Sequence, residues 1–184
     1  MKNRILTLLL VAFACGFATA QPLIDREGTA SFFSEAPMED IEAINKEVIG
    51  AVDLEKGTVA VSMFIKKFTF DRSLMQEHFN ENYLESEKFP KATFKGVIKD
   101  FTTLDFTKGG SFEALAEGEM EIHGVTKPLS SVVKFDVTPS TLRAETVFEI
   151  SIADHDIEIP KLVIKNIAEV VEVKAAFNFK REQR

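Results

Sequence analysis

The stretch Phe112–Val137, FEALAEGEMEIHGVTKPLSSVVKFDV, alternates between two kinds of residue. From 112 to 122 the even positions hold Phe, Ala, Ala, Gly, Met and Ile, whereas four of the odd positions hold glutamate. The odd positions from 129 to 137 hold Leu, Ser, Val, Phe and Val. Successive side chains of a strand point to opposite faces of a sheet, whereas a helix would mix the two sets. The pattern therefore predicts two long strands, Phe112–Ile122 and Leu129–Val137, each with one apolar face.

The alternation recurs along the rest of the chain. It predicts further long strands at Val59–Ile65, Lys91–Lys99, Leu142–Ile150 and Val171–Phe179, and shorter ones at Thr29–Ser34 and Glu47–Asp53. Short segments at 54–57, 124–126 and 138–140 have the composition of tight turns. Parallel neighbours would need long, usually helical crossovers, and the chain offers one such segment. We therefore predict an all-β, antiparallel fold.

Strands with one apolar face either pack as a two-sheet sandwich or close into a barrel. Two features favour the barrel: the strands at 112–122 and 167–180 are long, and closure leaves no strand edge open for aggregation. We predict a closed β-barrel of about eight strands, which has room inside for side chains or for one small ligand.

The predicted inward faces mix phenylalanine with alanine and glycine. This mixture is compatible with a solid core packed to normal density and also with a hollow for a ligand, and both interpretations remain open here. A hollow would have an almost wholly apolar lining, and its ligand would be a lipid-like chain held by burial at roughly 25 cal/mol per Å². The predicted ligand-binding residues are Val61, Met63, Phe79, Phe94, Phe112, Met120, Phe135, Phe148, Phe177 and Phe179.

The segment Leu74–Leu84 has the spacing of a short amphipathic helix. Its stripe begins at Leu74 and Met75 and continues at positions 78, 79, 82 and 83, and Asp71 is placed to cap its first turn. Phe89-Pro90 then ends this helical connection and begins the next strand. Because an apolar stripe needs an apolar surface, we predict that this helix closes an open end of the barrel.

The first residues have the order of a secretory signal: Lys2 and Arg4, an apolar run at Ile5–Phe17, and Ala18-Thr19-Ala20 before Gln21. The apolar run is too short to span about 30 Å of hydrocarbon comfortably. No later segment is long enough either, so we expect no transmembrane segment in the mature chain.

We therefore predict a signal peptide at 1–20 and a single exported β-barrel domain at 21–184, in the periplasm or secreted. Cys15, followed by glycine, leaves open the alternative of a lipid anchor. Cleavage after Ala20 removes this cysteine, so the mature fold has no disulfide and depends on burial.

The charge of the chain excludes some partners. Removal of Lys2 and Arg4 leaves 20 basic residues against 29 acidic ones, a net charge of −9. Nucleic acid needs a basic face, and anionic membranes attract basic segments, so neither is an expected partner.

Catalytic and metal-binding patterns are weak. His78, His123 and His155 are not at local metal-ligand spacing, and the sequence has no HExxH, CxxC, GxSxG, phosphate-loop or dinucleotide motif. We expect no enzyme activity, cofactor or metal. A hydrolase that uses His155 with Asp154 or Asp156 is the weakest hypothesis. For His123, before Gly124, we expect a turn position with the imidazole bonded to backbone.

Two motifs carry a resemblance to a known family. EHFNENYLESEKFPKATFKG at 77–96 and GEMEIHGVTKPLSSVV at 118–133 resemble the YceI-like family of exported proteins, and IHGVTKP at 122–128 is the more specific part. The resemblance extends over Gly28–Lys180. It implies a lipocalin-like barrel with an extended apolar channel for polyisoprenoid or other long-chain lipids, often periplasmic, often dimeric and mostly without demonstrated enzyme activity.

Two functional hypotheses follow. The first is an exported carrier or sequestering protein that holds a long apolar molecule in the barrel. The second is a structural or dimerising module with a filled barrel. It is suggested by apolar residues on otherwise polar faces, namely Val97, Leu115, Val132, Val147 and Val170.

Overall fold

The computed structural model describes residues 21–35, 40–158 and 168–181, so the predicted signal peptide and Cys15 lie outside the described residues. The strands are β1 Leu23–Ser34, β2 Ile41–Asp53, β3 Thr58–Phe64, β4 Thr69–Phe70, β5 Lys91–Ile98, β6 Gly110–Ile122, β7 Val125–Val137, β8 Thr141–Ser151 and β9 Val170–Lys180. Helix α1, Ser73–His78, continues as a π-helical segment at Phe79–Tyr83. Short 3₁₀ helices form at Ile65–Lys67, Phe101–Thr103 and Ala153–His155.

Eight of these strands form a closed antiparallel barrel. Their order is β1-β9-β8-β7-β6-β5-β3-β2, and the pairing of β1 with β2 closes the ring. The two-residue strand β4 is added beside β2. The predicted all-β, closed barrel is therefore confirmed, as is a short helix near one end. Among the described residues, no helix has the length and apolar character needed to cross a membrane.

The β6–β7 hairpin shows how the alternating sequence determines the barrel wall. Phe112 faces Phe135 in the register of these strands, and Gly118 faces Leu129, so residues of like character share a face. The turn consists of His123 and Gly124, with φ of +52° and +74°. A two-residue turn of this type requires positive φ at both central positions. Of the turn predicted at 124–126, only Gly124 lies in the turn, because positions 125 and 126 belong to β7.

Two strands are longer than the sequence predicts. β1 and β2 extend well before the predicted Thr29–Ser34 and Glu47–Asp53. Within β1 the register against β2 shifts between Asp25 and Gly28 and again before Ala30. Bulges of this kind insert unpaired residues and break the period of two, so the alternation is lost there.

The helix lies where the sequence predicts it but begins differently. Residue Arg72 is at the N-cap in an extended conformation, and no side chain caps the helix. The predicted cap at Asp71 is therefore wrong, because that residue lies one position too early. Leu74 is also not buried: it is 61% exposed.

Aromatic rings close the end of the barrel opposite α1. Phe106 is the centre of this cluster, with ring centroids 5.5 Å from Phe101, 5.0 Å from Phe112 and 5.5 Å from Phe135. Phe106 is 6% exposed although it lies in the connection between β5 and β6. We call these four residues the aromatic plug.

The backbones of β5 and β6 approach closely where Gly96 faces Gly118. A Cβ atom on Gly118 would lie 2.2 Å from the carbonyl oxygen of Lys95 and 2.5 Å from Cα of Gly96. Both obstacles are backbone atoms, so a side chain at 118 requires the strands to separate. The close approach of β5 and β6 therefore depends on glycine at this facing pair.

We expect Gly118→Ala to lower the free energy of unfolding by about 1–3 kcal/mol, the usual cost of overpacking. Gly109→Ala is the matched control, because a Cβ there would meet its nearest atom, the oxygen of Val137, at an ordinary 3.5 Å. The control should change stability by less than about 1 kcal/mol. Urea denaturation of both variants measures the difference, and equal losses would contradict the close approach of β5 and β6.

Candidate functional site

The interior of the barrel is hollow. It contains two adjoining cavities: one beneath α1, about 160 Å³ in volume, which we call the helix-end cavity, and one deeper in the barrel, about 110 Å³, which we call the inner cavity. Both are lined by Ala30, Met63, Ala92, Met120, Phe148 and Val173. The two volumes therefore lie in line along the barrel and are divided by a shared ring of side chains.

Helix α1 and its π-helical continuation form the roof of the helix-end cavity. Met75, Phe79, Tyr83 and Leu84 face the space from this segment. The amide of Leu84 donates to the carbonyl oxygen of Phe79 over 2.9 Å, which is the five-residue spacing of a π-helix. π-helical residues are rare and frequent at functional sites. A π-helical turn is wider than an α-helical turn, and here Phe79, Tyr83 and Leu84 all lie on the side of the segment that faces the cavity.

Aromatic packing holds this roof on the barrel. The ring of Phe79 lies 5.5 Å from Phe32, 5.6 Å from Phe68 and 5.0 Å from Phe70, measured between centroids. These partners come from β1 and from the segment around β4. The remaining lining of the helix-end cavity comprises Ser34, Ile41, Ile65, Ile122, Ile150, Ile152, Ile157 and Val171.

Two glycines of the barrel wall accommodate one of the phenylalanines that line the inner cavity. Phe177 occupies the space left by two glycines, since a Cβ on Gly28 or Gly50 would lie 2.5 Å from its ring. The rest of the apolar lining includes Val52, Val59, Val61, Phe94, Ile98, Ala116, Leu129, Val133, Phe135, Ala144, Ala175 and Phe179. The aromatic plug adjoins this cavity through Phe135.

Nine of the ten predicted ligand-binding residues line these cavities. Met63, Phe79, Met120 and Phe148 line the helix-end cavity, and Val61, Met63, Phe94, Met120, Phe135, Phe148, Phe177 and Phe179 line the inner one. Phe112 differs, because its ring packs in the aromatic plug, 5.5 Å from Phe135. Their contact with a ligand stays a prediction.

Sequence reasoning missed several lining residues in the segments that connect the eight barrel strands. Phe68 and Phe70 follow a 3₁₀ turn, and Ile152 and Ile157 flank another. The one sequence feature that could have identified them is that they are apolar and lie next to predicted strand ends. The alternation of apolar and polar residues does not continue into these connections, so it could not predict whether their side chains face the interior.

Polar side chains in the lining are few. The hydroxyls of Ser131 and Thr146 in the inner cavity are 2.6 Å apart, and Thr146 also donates to the oxygen of Val132 over 2.8 Å. In the helix-end cavity, Ser34 Oγ accepts a hydrogen bond of 3.0 Å from the amide of Ala168. Burial raises the pKa of the phenol of Tyr83.

The three histidines have different environments. His78 is exposed, whereas His123 Nδ1 lies 3.1 Å from the carbonyl oxygen of His155 and its Nε2 lies 2.9 Å from the carboxylate of Glu85. The predicted bond of His123 to backbone is confirmed. Both of its partners are acceptors, so a ring protonated at both nitrogens donates to both. His123 thus ties the segment after the helix to the β6–β7 turn and the β8–β9 connection.

His155 has a structural environment. It is 5% exposed, and its Nδ1 lies 3.2 Å from the carbonyl oxygen of Val125. Its neighbours Asp154 and Asp156 are exposed. Across the described residues there is no group of three or more His, Cys, Asp or Glu side chains arranged to hold a metal ion.

Solved structures with the same fold include three from bacteria. A polyisoprenoid-binding domain from Saccharophagus degradans, implicated in plant cell wall breakdown, superposes with a TM-score of 0.74 at 12% identity, over 88% of this chain and 98% of that one. BcnA of Burkholderia cenocepacia gives 0.68 at 15% identity, over 82% and 95%. A YceI protein of Campylobacter jejuni gives 0.56 at 12% identity, over 99% of both chains.

Comparison with curated proteins finds no match to this chain. The model of the YceI-like domain matches residues 25–179, which include all nine strands except the first two residues of β1 and the last residue of β9. The chain therefore belongs to the YceI-like domain family.

Proposed function

We propose that this chain is an exported protein that binds a long apolar molecule, a polyisoprenoid or another lipid, inside its barrel for carriage or sequestration. The observation that supports the proposal is the hollow interior with its almost wholly apolar lining. Burial of apolar surface is the interaction that such a lining offers, and it acts along the whole length of a chain-like ligand.

The size of the hollow indicates how a long chain would be held. Volumes of about 160 and 110 Å³ are each below the roughly 300–1,000 Å³ of common ligand pockets. A long ligand therefore occupies both cavities and displaces the side chains between them. Met63 and Met120 lie at this division, and unbranched methionine side chains adapt readily to a new shape.

The comparisons support the same proposal. The Saccharophagus degradans structure is named as a polyisoprenoid-binding domain, and this chain shares its fold and belongs to the YceI-like family. A sequence identity of 12% supports a shared fold but not a shared ligand, so the ligand of this chain has to be identified by experiment. We propose a binding role without catalysis, because His123 and His155 have structural partners and the described lining of the hollow contains no arrangement of polar groups for a reaction.

We propose the periplasm as the location, on the evidence of the signal-like residues 1–20. Secretion beyond the cell and anchoring through Cys15 are the alternatives. The mass of the mature chain tests the lipid anchor, since cleavage after Ala20 removes Cys15, whereas a lipid anchor retains it.

We expect Met120→Trp to weaken binding of geranylgeraniol by about tenfold or more, equivalent to about 1.4 kcal/mol of lost apolar burial. The indole would fill the division between the cavities and stop a chain from passing it. Binding of the radiolabelled alcohol to purified, delipidated protein measures the effect.

Glu119→Trp is the matched control for this variant. It adds the same side chain one position away, on the exposed outer face of β6, so it should bind as the wild type does. Met63→Phe provides a second, smaller obstruction at the same level. Unchanged binding in both inner variants would contradict a ligand inside the barrel.

A second candidate function is self-association through the outer face of the barrel. Val97, Val132 and Val147 are 47%, 52% and 53% exposed on β5, β7 and β8, and the half-buried Leu115 faces Val132 from β6. These apolar residues lie on four neighbouring strands, which is unusual on an otherwise charged face.

For this second candidate, light scattering across a dilution series should give a dimer that dissociates to a monomer. Val132→Lys should shift the equilibrium to the monomer, because it places a charge in the row. Thr126→Lys, on the exposed end of the same strand, should not. A strict monomer at every concentration excludes the homodimer.

A further inference from the structure

A groove on the outside of the barrel has no part in the proposed function. It has a volume of about 640 Å³ and lies across β2, β1, β9 and β8. Phe32 lines both this groove and the helix-end cavity, so the two spaces lie on opposite sides of the same wall. We call it the acidic groove, and its charged and apolar side chains include Phe33, Glu35, Glu42, Glu149, Val170 and Glu172.

The strand register places four of these side chains in one row. Phe33 of β1 faces Glu42 of β2 on one side and Glu172 of β9 on the other. Glu172 in turn faces Glu149 of β8. Neighbouring strands are about 4.8 Å apart, so the row is about 14 Å long. An outward-facing phenyl ring is therefore flanked by a carboxylate on each side.

The negative charge of the groove is poorly compensated. Lys174 is the one lysine or arginine in the described lining, and it pairs with Glu172 over 3.0 Å. Glu35, Glu42 and Glu149 form no ion pair with another described residue. Glu149 and Glu172 lie directly opposite each other, and like charges in such a cross-strand pair are destabilising. Positive charge from a partner would relieve this repulsion.

Apolar surface lies among these carboxylates. Phe33 is 38% exposed and Val170 is 46% exposed. An apolar floor with a charged rim is the arrangement of a protein interaction site. A metal ion would leave this floor uncovered, and within the described ranges no three His, Cys, Asp or Glu side chains are arranged to hold one. The groove is therefore complementary to a partner that is both basic and apolar.

A helix is the partner element that fits the groove. β1 and β9 form its centre and are each paired with a strand on both sides, so they offer no edge to an added strand. Helix side chains three or four positions apart are separated by about 5–6 Å, close to the spacing of neighbouring strands. A helix laid across the strands thus places an apolar residue on Phe33 and basic residues beside the flanking carboxylates. The row matches about nine residues of helix.

We propose that the acidic groove is a docking site for a basic amphipathic helix of a partner protein, which seats apolar residues on Phe33 and lysine or arginine side chains against Glu42 and Glu149. This site goes beyond the proposed function and does not depend on it, because the groove is outside the barrel. Its position places the partner beside the end of the hollow that α1 covers.

The test uses a fluorescent model peptide of about 14 residues, four turns of helix, in which a stripe of leucine is flanked by lysines and the other positions are alanine. A second peptide carries glutamate in place of lysine. Fluorescence anisotropy at low and at physiological salt measures binding. The lysine peptide should bind at least about tenfold more tightly than the glutamate peptide, and salt should weaken it.

Two kinds of variant separate the charges from the apolar floor. The double variant Glu42→Gln, Glu149→Gln should weaken the lysine peptide by about fivefold, the worth of two exposed ion pairs, and should reduce the effect of salt. Phe33→Ser should weaken binding by about fivefold or more at both salt concentrations, because it removes apolar contact. Amide NMR signals of Phe33 and Glu172 should shift when the lysine peptide binds.

The matched control for the charges is the double variant Glu113→Gln, Glu121→Gln, which removes the same charge from exposed positions on β6. It should bind the lysine peptide as the wild type does. Met120→Trp is the control for the hollow and should also leave peptide binding unchanged, since it obstructs only the interior.

The following results would overturn the docking site without bearing on lipid binding in the barrel. Equal weakening by the two glutamine double variants would mean attraction to net charge alone. Weaker binding to Met120→Trp would mean that the peptide enters the hollow. A homodimer that Phe33→Ser dissociates would assign the groove to a second copy of this chain. A lysine peptide that does not bind at low salt would leave the groove without its proposed occupant.

Discussion

Closure of the sheet through the β1–β2 pairing is the constraint on which the rest of the structure depends. A ring of eight strands fixes an interior just wide enough to be filled by side chains or to hold one small ligand. Residues on the inward faces then decide which of the two occurs. Here alanines at 92, 116, 144 and 175 line the inner cavity and leave space between the phenylalanines unfilled.

An unfilled apolar interior has an energetic consequence. Atoms that line a void lose packing contacts on one side, and the void is too apolar to be stabilised by water. A ligand that restores these contacts binds the folded state and not the unfolded one, so it raises the stability of the protein by mass action. The roof of α1 and the π-helical segment is held by rings from β1 and β4, and it covers one end of this interior without a charged side chain in the described lining.

The sequence predicts most of the barrel because most of its wall obeys a period of two. The even positions from 112 to 122 and the odd positions from 129 to 137 share one face, and this sufficed for six strands, their antiparallel order and the apolar interior. Bulges near Asp25 and Gly28 hid the first half of β1, since they interrupt the same period. The prediction of Asp71 as the N-cap was wrong, because the preference of aspartate for N-cap positions does not determine the residue at which the helix begins.

The site was predicted less completely than the fold. Periodicity assigns a residue to a face but not to a depth along the barrel, so Phe112 was placed with the cavity residues although it packs in the aromatic plug. Tyr83 was recognised as part of an apolar stripe, but its position depends on the π-helical turn, which has no sequence signal in the pattern. Whether phenylalanines and alanines pack solid or leave a hollow depends on how all eight strands meet, and this required the three-dimensional structure.

The central claim is that the barrel holds a long apolar molecule in its hollow. Native mass spectrometry of the exported protein, before and after extraction with organic solvent, tests it most directly. We expect a complex heavier than the mature chain by the mass of one lipid, which extraction releases and added geranylgeraniol replaces at one molecule per barrel. A chain that shows its bare mass before extraction and takes up no apolar probe afterwards would contradict the claim.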